Sequence, residues 1–185
     1  GLLRGSLCEA GMVASSLASS EAHGTGTKLG DPIETGSLAA VLSGPGGRSL
    51  ALGSIKGNMA HGESTAGTNG LLKLAIGLRA GEAAPNAQLR ALNPHVGGAL
   101  RGAASALPSQ LSALEADERA VGGVSSFGYS GTITHAALRH SPYPGVHGGA
   151  LPPLAFRRCA YPWHVAGGLG DAMCSRTGTY AACWA

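Results

Sequence analysis

Charge is scarce in this chain of 185 residues: Asp, Glu, Lys and Arg together make 12% of it, about half the share of an ordinary soluble domain. The net charge of +3 is small and scattered, and Arg157-Arg158 is the sole pair of adjacent basic residues. No basic stripe exists to hold nucleic acid. Aromatic residues are only 4%, so a core has to be packed from Ala, Leu and Val. No apolar run approaches the ~18 residues of a membrane-spanning helix. Residues 1–20 carry one Arg and no long apolar segment, which argues against a secretory signal. The four cysteines, Cys8, Cys159, Cys174 and Cys183, form no C-x-x-C pair. A disulfide framework is not expected, and reduced thiols point to an intracellular protein of the cytoplasm or a plastid.

Glycine, by contrast, is abundant, at 31 residues. That suggests close backbone approaches and turns at positive φ. The low net charge and the 44% of hydrophobic residues argue against disorder. Residues 2–10 have the pattern of an amphipathic helix closed by Gly11, in which Cys8 reads as a packing residue. The pattern begins without an N-cap, as in a piece of something longer. A second helix is expected from Asp31 as N-cap, with Pro32 at the first position and Glu34 at the third. Residues 49–55 alternate as a short strand. Gly62 to Leu78 reads as a helix apolar all round and therefore buried. Residues 81–117, with Pro85, Pro94 and Pro108, look irregular. Two strands are expected at about 119–126 and 131–139. Beyond His140 the composition shifts to Pro, Gly, Trp and Cys, so 141–185 reads as an extended tail or linker, with disorder expected at its end.

Three glycine-flanked segments carry the candidate chemistry: Glu21-Ala22-His23-Gly24-Thr25-Gly26-Thr27, then Gly53-Ser54-Ile55-Lys56-Gly57-Asn58-Met59-Ala60-His61-Gly62-Glu63, then Ser125-Ser126-Phe127-Gly128-Tyr129-Ser130-Gly131-Thr132. Two place a histidine where a strand gives way to a turn. Two neutral imidazoles aimed at one point can donate hydrogen bonds to an oxygen that becomes negative, and losing one such donor commonly costs ~10²–10³ in rate. Lys56 and Glu63 flank His61, so an ion pair between them could fix it. Pattern alone leaves a structural hydrogen bond as the commoner role for a single histidine. Gly24 to Gly30 has neither the spacing of a dinucleotide fingerprint nor the Gly-Lys-Ser/Thr of a P-loop. Thr132 stands where a hydrolase elbow needs its second glycine. His135, His140, His147, Cys159 and His164 are too irregularly spaced for zinc, and no metal is expected.

Glu21–Thr27 followed by Gly30-Asp31-Pro32-Ile33-Glu34 resembles the first histidine motif of the β-ketoacyl synthases of polyketide and fatty-acid synthesis. Lys56–Gly67 is similar to their second motif and Ser125–Thr132 to the glycine-rich segment near their C-terminus. The resemblance covers roughly residues 1–140. It implies the C-terminal half of a thiolase-like α/β fold, a layered sheet with a buried helix, in which two similar halves with five-stranded sheets meet at the active site. The implied activity is decarboxylative Claisen condensation of an acyl thioester with a malonyl-type extender, both delivered on the phosphopantetheine of acyl carrier protein. No cofactor is expected to bind directly. The wording of the first motif and the linker-like tail at 154–163 favour a type I-like polyketide synthase.

By the same resemblance His23 and His61 stabilise the enolate, Lys56 organises His61 with Glu63 beside it, and Thr25 and Thr27 contact the pantetheine. Tyr129 stands where the family has a gating Phe, whose backbone N–H joins the oxyanion hole, and Tyr129 and Gly131 are implied to bind the substrate arm. Ala60 stands where the family has Gly, after Met59 in place of Ile; Gly57 replaces Ser, Ser130 replaces Gly and Ile133 replaces Asn. The nucleophilic cysteine of the family lies far upstream of the first histidine, so Cys8 is not expected to be the nucleophile. The expected partners are acyl carrier protein, the upstream half and, in the intact enzyme, a second copy. The alternative is a truncated, inactive half-domain that acts by association alone, with an exposed apolar face.

Overall fold

The computed structural model describes residues 1–42, 49–114 and 121–140, all within one unit that runs from Gly1 to Pro142. The expected tail at 141–185 lies outside the described residues. A five-stranded sheet is built from β1 (Leu17–Glu21), β2 (Leu50–Gly53), β4 (Ser105–Ala106), β6 (Val121–Phe127) and β7 (Ile133–Arg139). Its spatial order is β4-β2-β1-β6-β7. The first four strands run parallel, while β7 returns antiparallel to β6 with Phe127 opposite Ile133. A two-residue strand β3 (Glu82–Ala83) pairs with β5 (Ser112–Ala113) in a separate ribbon.

Parallel strands are stable when helices cover both faces, and this sheet is covered on both. On one side pack α1 (Leu2–Glu9), α2 (Gly30–Leu42) and α5 (Pro94–Ala99), burying Leu7, Leu38, Val96 and Leu100 against Leu17, Leu50, Leu52 and Val121. Spacing of Leu3 and Leu7 by four directs one face of α1 inward. On the other side lies α4 (Ala66–Ala80), whose Leu74 and Leu78 meet Val124. A Cβ on Gly122 of β6 would fall 2.6 Å from the Leu74 side chain, so glycine is what lets this helix sit on the strand.

Four expectations change here. The helix α4 is not buried all round. Its inward stripe is Ala66, Gly70, Leu74 and Leu78, one residue per turn, while Leu71, Leu72 and Ile76 on its other side are exposed. Of the stretch 81–117, the described residues 81–114 are less irregular than their prolines suggest, because Pro94 sits inside the first turn of α5 and Asn93 caps it through the His95 N–H. Cys8 is exposed rather than packed, since Leu7 takes the inward position of α1. The second helix starts at Gly30, one residue before Asp31. No helix of the described residues is long and apolar enough to cross a membrane.

Candidate active site

The three glycine-flanked segments leave the C-terminal ends of adjacent parallel strands, β1, β2 and β6, so they open at one edge of the sheet. That edge is where open α/β sheets place their ligands. After β1 the chain turns through His23-Gly24. A Cβ on Gly24 would lie 2.7 Å from that of Ser54, so a bare backbone is needed for the first loop to touch the second. The turn is then pinned from α2. The Glu34 carboxylate accepts the His23 N–H at 2.7 Å and the Gly24 N–H at 3.0 Å. Asp31 Oδ1 accepts from Gly26 and Thr27 at 3.1 and 3.3 Å, and Thr27 Oγ1 accepts from Gly30 at 3.1 Å. The two acids expected as a helix cap therefore reach back and hold the histidine loop. Thr25 is exposed beside it.

The second loop begins with a helical turn, α3 (Lys56–Met59). Ala60 follows at φ 65°, ψ −176°, and Glu63 at φ 45°. Both are positive-φ positions occupied by residues with side chains. The fold of this loop brings the Glu63 N–H onto His61 Nδ1 at 2.8 Å. An Nδ1 that accepts leaves the ring proton on Nε2. Asparagines fix the loop from outside. Asn58 donates to the Pro85 carbonyl at 2.9 Å and accepts from Ala87 at 2.9 Å. Asn86 accepts from Ser54 at 3.2 Å and donates to the carbonyls of Leu52 and Pro108 at 3.0 and 3.2 Å.

These loops bring the two imidazoles together, with ring centroids 5.8 Å apart and planes at 87°. The Phe127 ring at the end of β6 also lies against His23, with ring centroids 5.2 Å apart. Burial first, and then the positive Lys56, hold the His23 pKa below the ordinary imidazole value of 6.5. His23 is thus neutral at neutral pH and able to donate one N–H. Its Nδ1 is buried with no hydrogen-bond partner among the described residues. Burial likewise lowers the Lys56 pKa, against the pull of Glu21, Glu34 and Asp31. Burial raises that of Glu34 despite its two backbone donors.

The arrangement corrects one residue-level expectation. Lys56 and Glu63 form no ion pair; the carboxylates that act on the Lys56 charge are Glu21, Glu34 and Asp31, and Glu63 reaches His61 through its backbone. The reason is the reversal at Ala60 and Glu63, which a count along the chain does not register. Tyr129 is fully exposed at the tip of the β6–β7 turn, beside Gly131 at φ 90°; the aromatic ring against His23 is that of Phe127.

Sequence reasoning passed over four contributors: Glu34 as loop anchor, the Asn58–Asn86 clamp, Phe127, and an ion pair between Glu21 and Lys73 at 2.6 Å. The last left a signal. A lone acid in a strand of small residues and a lone base inside an apolar helix have few ways to be buried except together.

Similarity to known proteins is consistent with this geometry. The family described as "Beta-ketoacyl synthase, C-terminal domain" matches residues 2–90. The chain is 36% identical over 180 residues to the spectinabilin polyketide synthase system protein NorC of Streptomyces orinoci, covering 96% of this chain and 8% of that protein. It is 40% identical over 139 residues to the 6-methylsalicylic acid synthase of Penicillium terrestre, covering 71% of this chain and 8% of that one. Among solved structures, the oxazolomycin ketosynthase domain OzmH KS7 of Streptomyces albus JA3453 superposes with a TM-score of 0.67 at 32% identity, covering 76% of this chain and 26% of that chain. The chain thus spans less than a tenth of these curated relatives and about a quarter of the ketosynthase structure. Its five-stranded sheet, its three motifs and these likenesses agree: the chain belongs to the β-ketoacyl synthases, as the C-terminal part of a thiolase-like ketosynthase domain of the polyketide synthase type.

Proposed function

We propose that this chain supplies the two-histidine half of a condensing site for polyketide chain elongation. The observation that carries the reading is the perpendicular pair His23 and His61, one held neutral by burial and the other presenting Nε2–H because its Nδ1 accepts from Glu63. Two such donors suit an oxygen that gains charge during reaction. In the proposed reaction a malonyl-type thioester, carried on the phosphopantetheine of acyl carrier protein, loses carbon dioxide. Its thioester oxygen, now an enolate, takes hydrogen bonds from both rings. The enolate carbon attacks the acyl thioester held on a cysteine, forming the new carbon–carbon bond and releasing the cysteine thiolate. That cysteine belongs to the upstream half, since Cys8 is on the outer face of α1. In this reading Thr25, Thr27 and the Tyr129–Gly131 turn steer the pantetheine arm toward the two rings. The exposed Leu71, Leu72 and Ile76 of α4 are the surface the upstream half would cover. Residues 1–140 form the synthase part in this reading, and 141–185 the linker that follows it.

The test is His23→Ala and His61→Ala in the complete synthase, with carbon dioxide release from the malonyl thioester and product formation measured separately. Each variant is expected to lose ~10²-fold or more in both. Turnover at the parental rate in both variants would overturn the proposal.

A further inference from the structure

Among the described residues, one buried polar cluster bonds to the segments that carry the two histidines without including either imidazole. Glu21, the last residue of β1, is 3% exposed. One of its carboxylate oxygens accepts the N–H of Ile55, and the other meets Lys73 Nζ at 2.6 Å. Ile55 immediately precedes Lys56 and the turn that leads to His61; His23 follows Glu21 by two residues. Lys73 comes from the middle of α4. A single carboxylate thus joins the strand that leads to one histidine, the loop that carries the other and the helix α4.

The surroundings are fitted to this carboxylate. A Cβ on Gly70 would stand 3.2 Å from Glu21 Cγ, so α4 is notched where the side chain passes. A Cβ on Gly53 would stand 3.1 Å from Lys73 Nζ. Burial raises the Glu21 pKa, and Lys73, the Ile55 N–H and Lys56 work against that rise. Replacing a buried ion pair by apolar residues of similar size is often neutral or stabilising. Stability alone therefore gives no reason for a charge here. A carboxylate has another property: it can accept the Ile55 N–H and the Lys73 ammonium at once, in two fixed directions.

We infer that Glu21 is a positioning residue of the condensing site, its hydrogen bond to Ile55 setting the spacing of the two histidine loops while Lys73 neutralises it. The inference rests on the proposed role of His23 and His61. If their spacing matters, displacement of one loop by about an ångström can cost ~10²-fold in rate.

The test compares two double variants in the complete synthase. Glu21→Gln with Lys73→Met removes both charges but keeps an acceptor for Ile55. Glu21→Leu with Lys73→Met removes the acceptor as well. The first is expected to release carbon dioxide from the malonyl thioester at close to the parental kcat. The second is expected to lose ~10- to 100-fold in kcat, with KM and the rate of acyl transfer onto the upstream cysteine unchanged. Equal rates in the two double variants would overturn the inference. So would an equal loss of acyl transfer, or a Leu variant that fails to fold while the Gln variant folds, because each makes the carboxylate a matter of architecture. His23→Ala and His61→Ala run alongside: if they retain decarboxylation, it is the reading of the histidines that fails, whatever Glu21 does.

Discussion

Replacing Ala60 by glycine isolates one strained residue next to His61. Its backbone, at φ 65° and ψ −176°, lies in a region that is essentially reserved for glycine and costs a residue with a Cβ about 1–3 kcal/mol. Glycine also gains freedom in the unfolded chain, which returns about 0.5–1 kcal/mol of that advantage. The difference leaves Ala60→Gly more stable by about 1 kcal/mol, a rise in melting temperature of about 3 °C for a unit of this size. Urea denaturation of the full chain, followed by circular dichroism, measures it as a higher midpoint at unchanged slope. Because the substitution relaxes the conformation without changing it, the Glu63 N–H stays on His61 Nδ1, and decarboxylation by the complete synthase is expected to hold. A midpoint that falls, or does not move, would refute the argument that Ala60 bears strain.

Two further predictions concern other residues. Glu63→Gly removes the side chain but keeps the backbone N–H that orients His61 and suits φ 45°, so decarboxylation kinetics in the complete synthase should be unchanged; a large loss would restore a role to the carboxylate. His135 bonds Ser125 Oγ through Nδ1 at 3.0 Å, and burial lowers its pKa from the ordinary 6.5. Its unfolded form therefore takes up a proton first as pH falls below about 6.5. Stability is lost from there downward until the folded-state pKa is passed. His23 adds in the same direction, whereas the raised pKa values of Glu21 and Glu34 oppose it. His135→Gln should flatten the fall in melting temperature between about pH 7 and pH 5; an unaltered slope would remove His135 from the account.

The parts of this structure that follow from local rules were legible in the sequence. The helix at Gly30–Leu42 announces itself through Pro32, and the strands around Phe127 and Ile133 through their runs between glycines. The histidines could be placed at strand ends for the same reason. What the chain could not disclose depends on long-range placement. Asp31 and Glu34 have the spacing of a helix cap, yet their carboxylates take backbone donors from residues 23–27 because the loop folds back over the helix start. The pairing of Glu82–Ala83 with Ser112–Ala113 rests on two residues a side, too few for periodicity to detect. Likewise Leu71, Leu72 and Ile76 read as core, because hydropathy along a helix does not say how many of its sides are covered.

The strand order also sets a schedule for synthesis. The central strand β1 ends at Glu21, and its partner β6 begins at Val121, about 100 residues later. At ribosomal rates of about 5–20 residues per second, that gap lasts on the order of 5–20 s. In that interval β2 can already pair with β1, so the two histidine loops can meet while the other edge of β1 stays open. An open edge is a template for pairing with another chain. The residues of the candidate site nearest the start of the chain therefore wait longest for their last neighbour, Phe127, and the nascent chain is most exposed to misassociation just before that strand emerges.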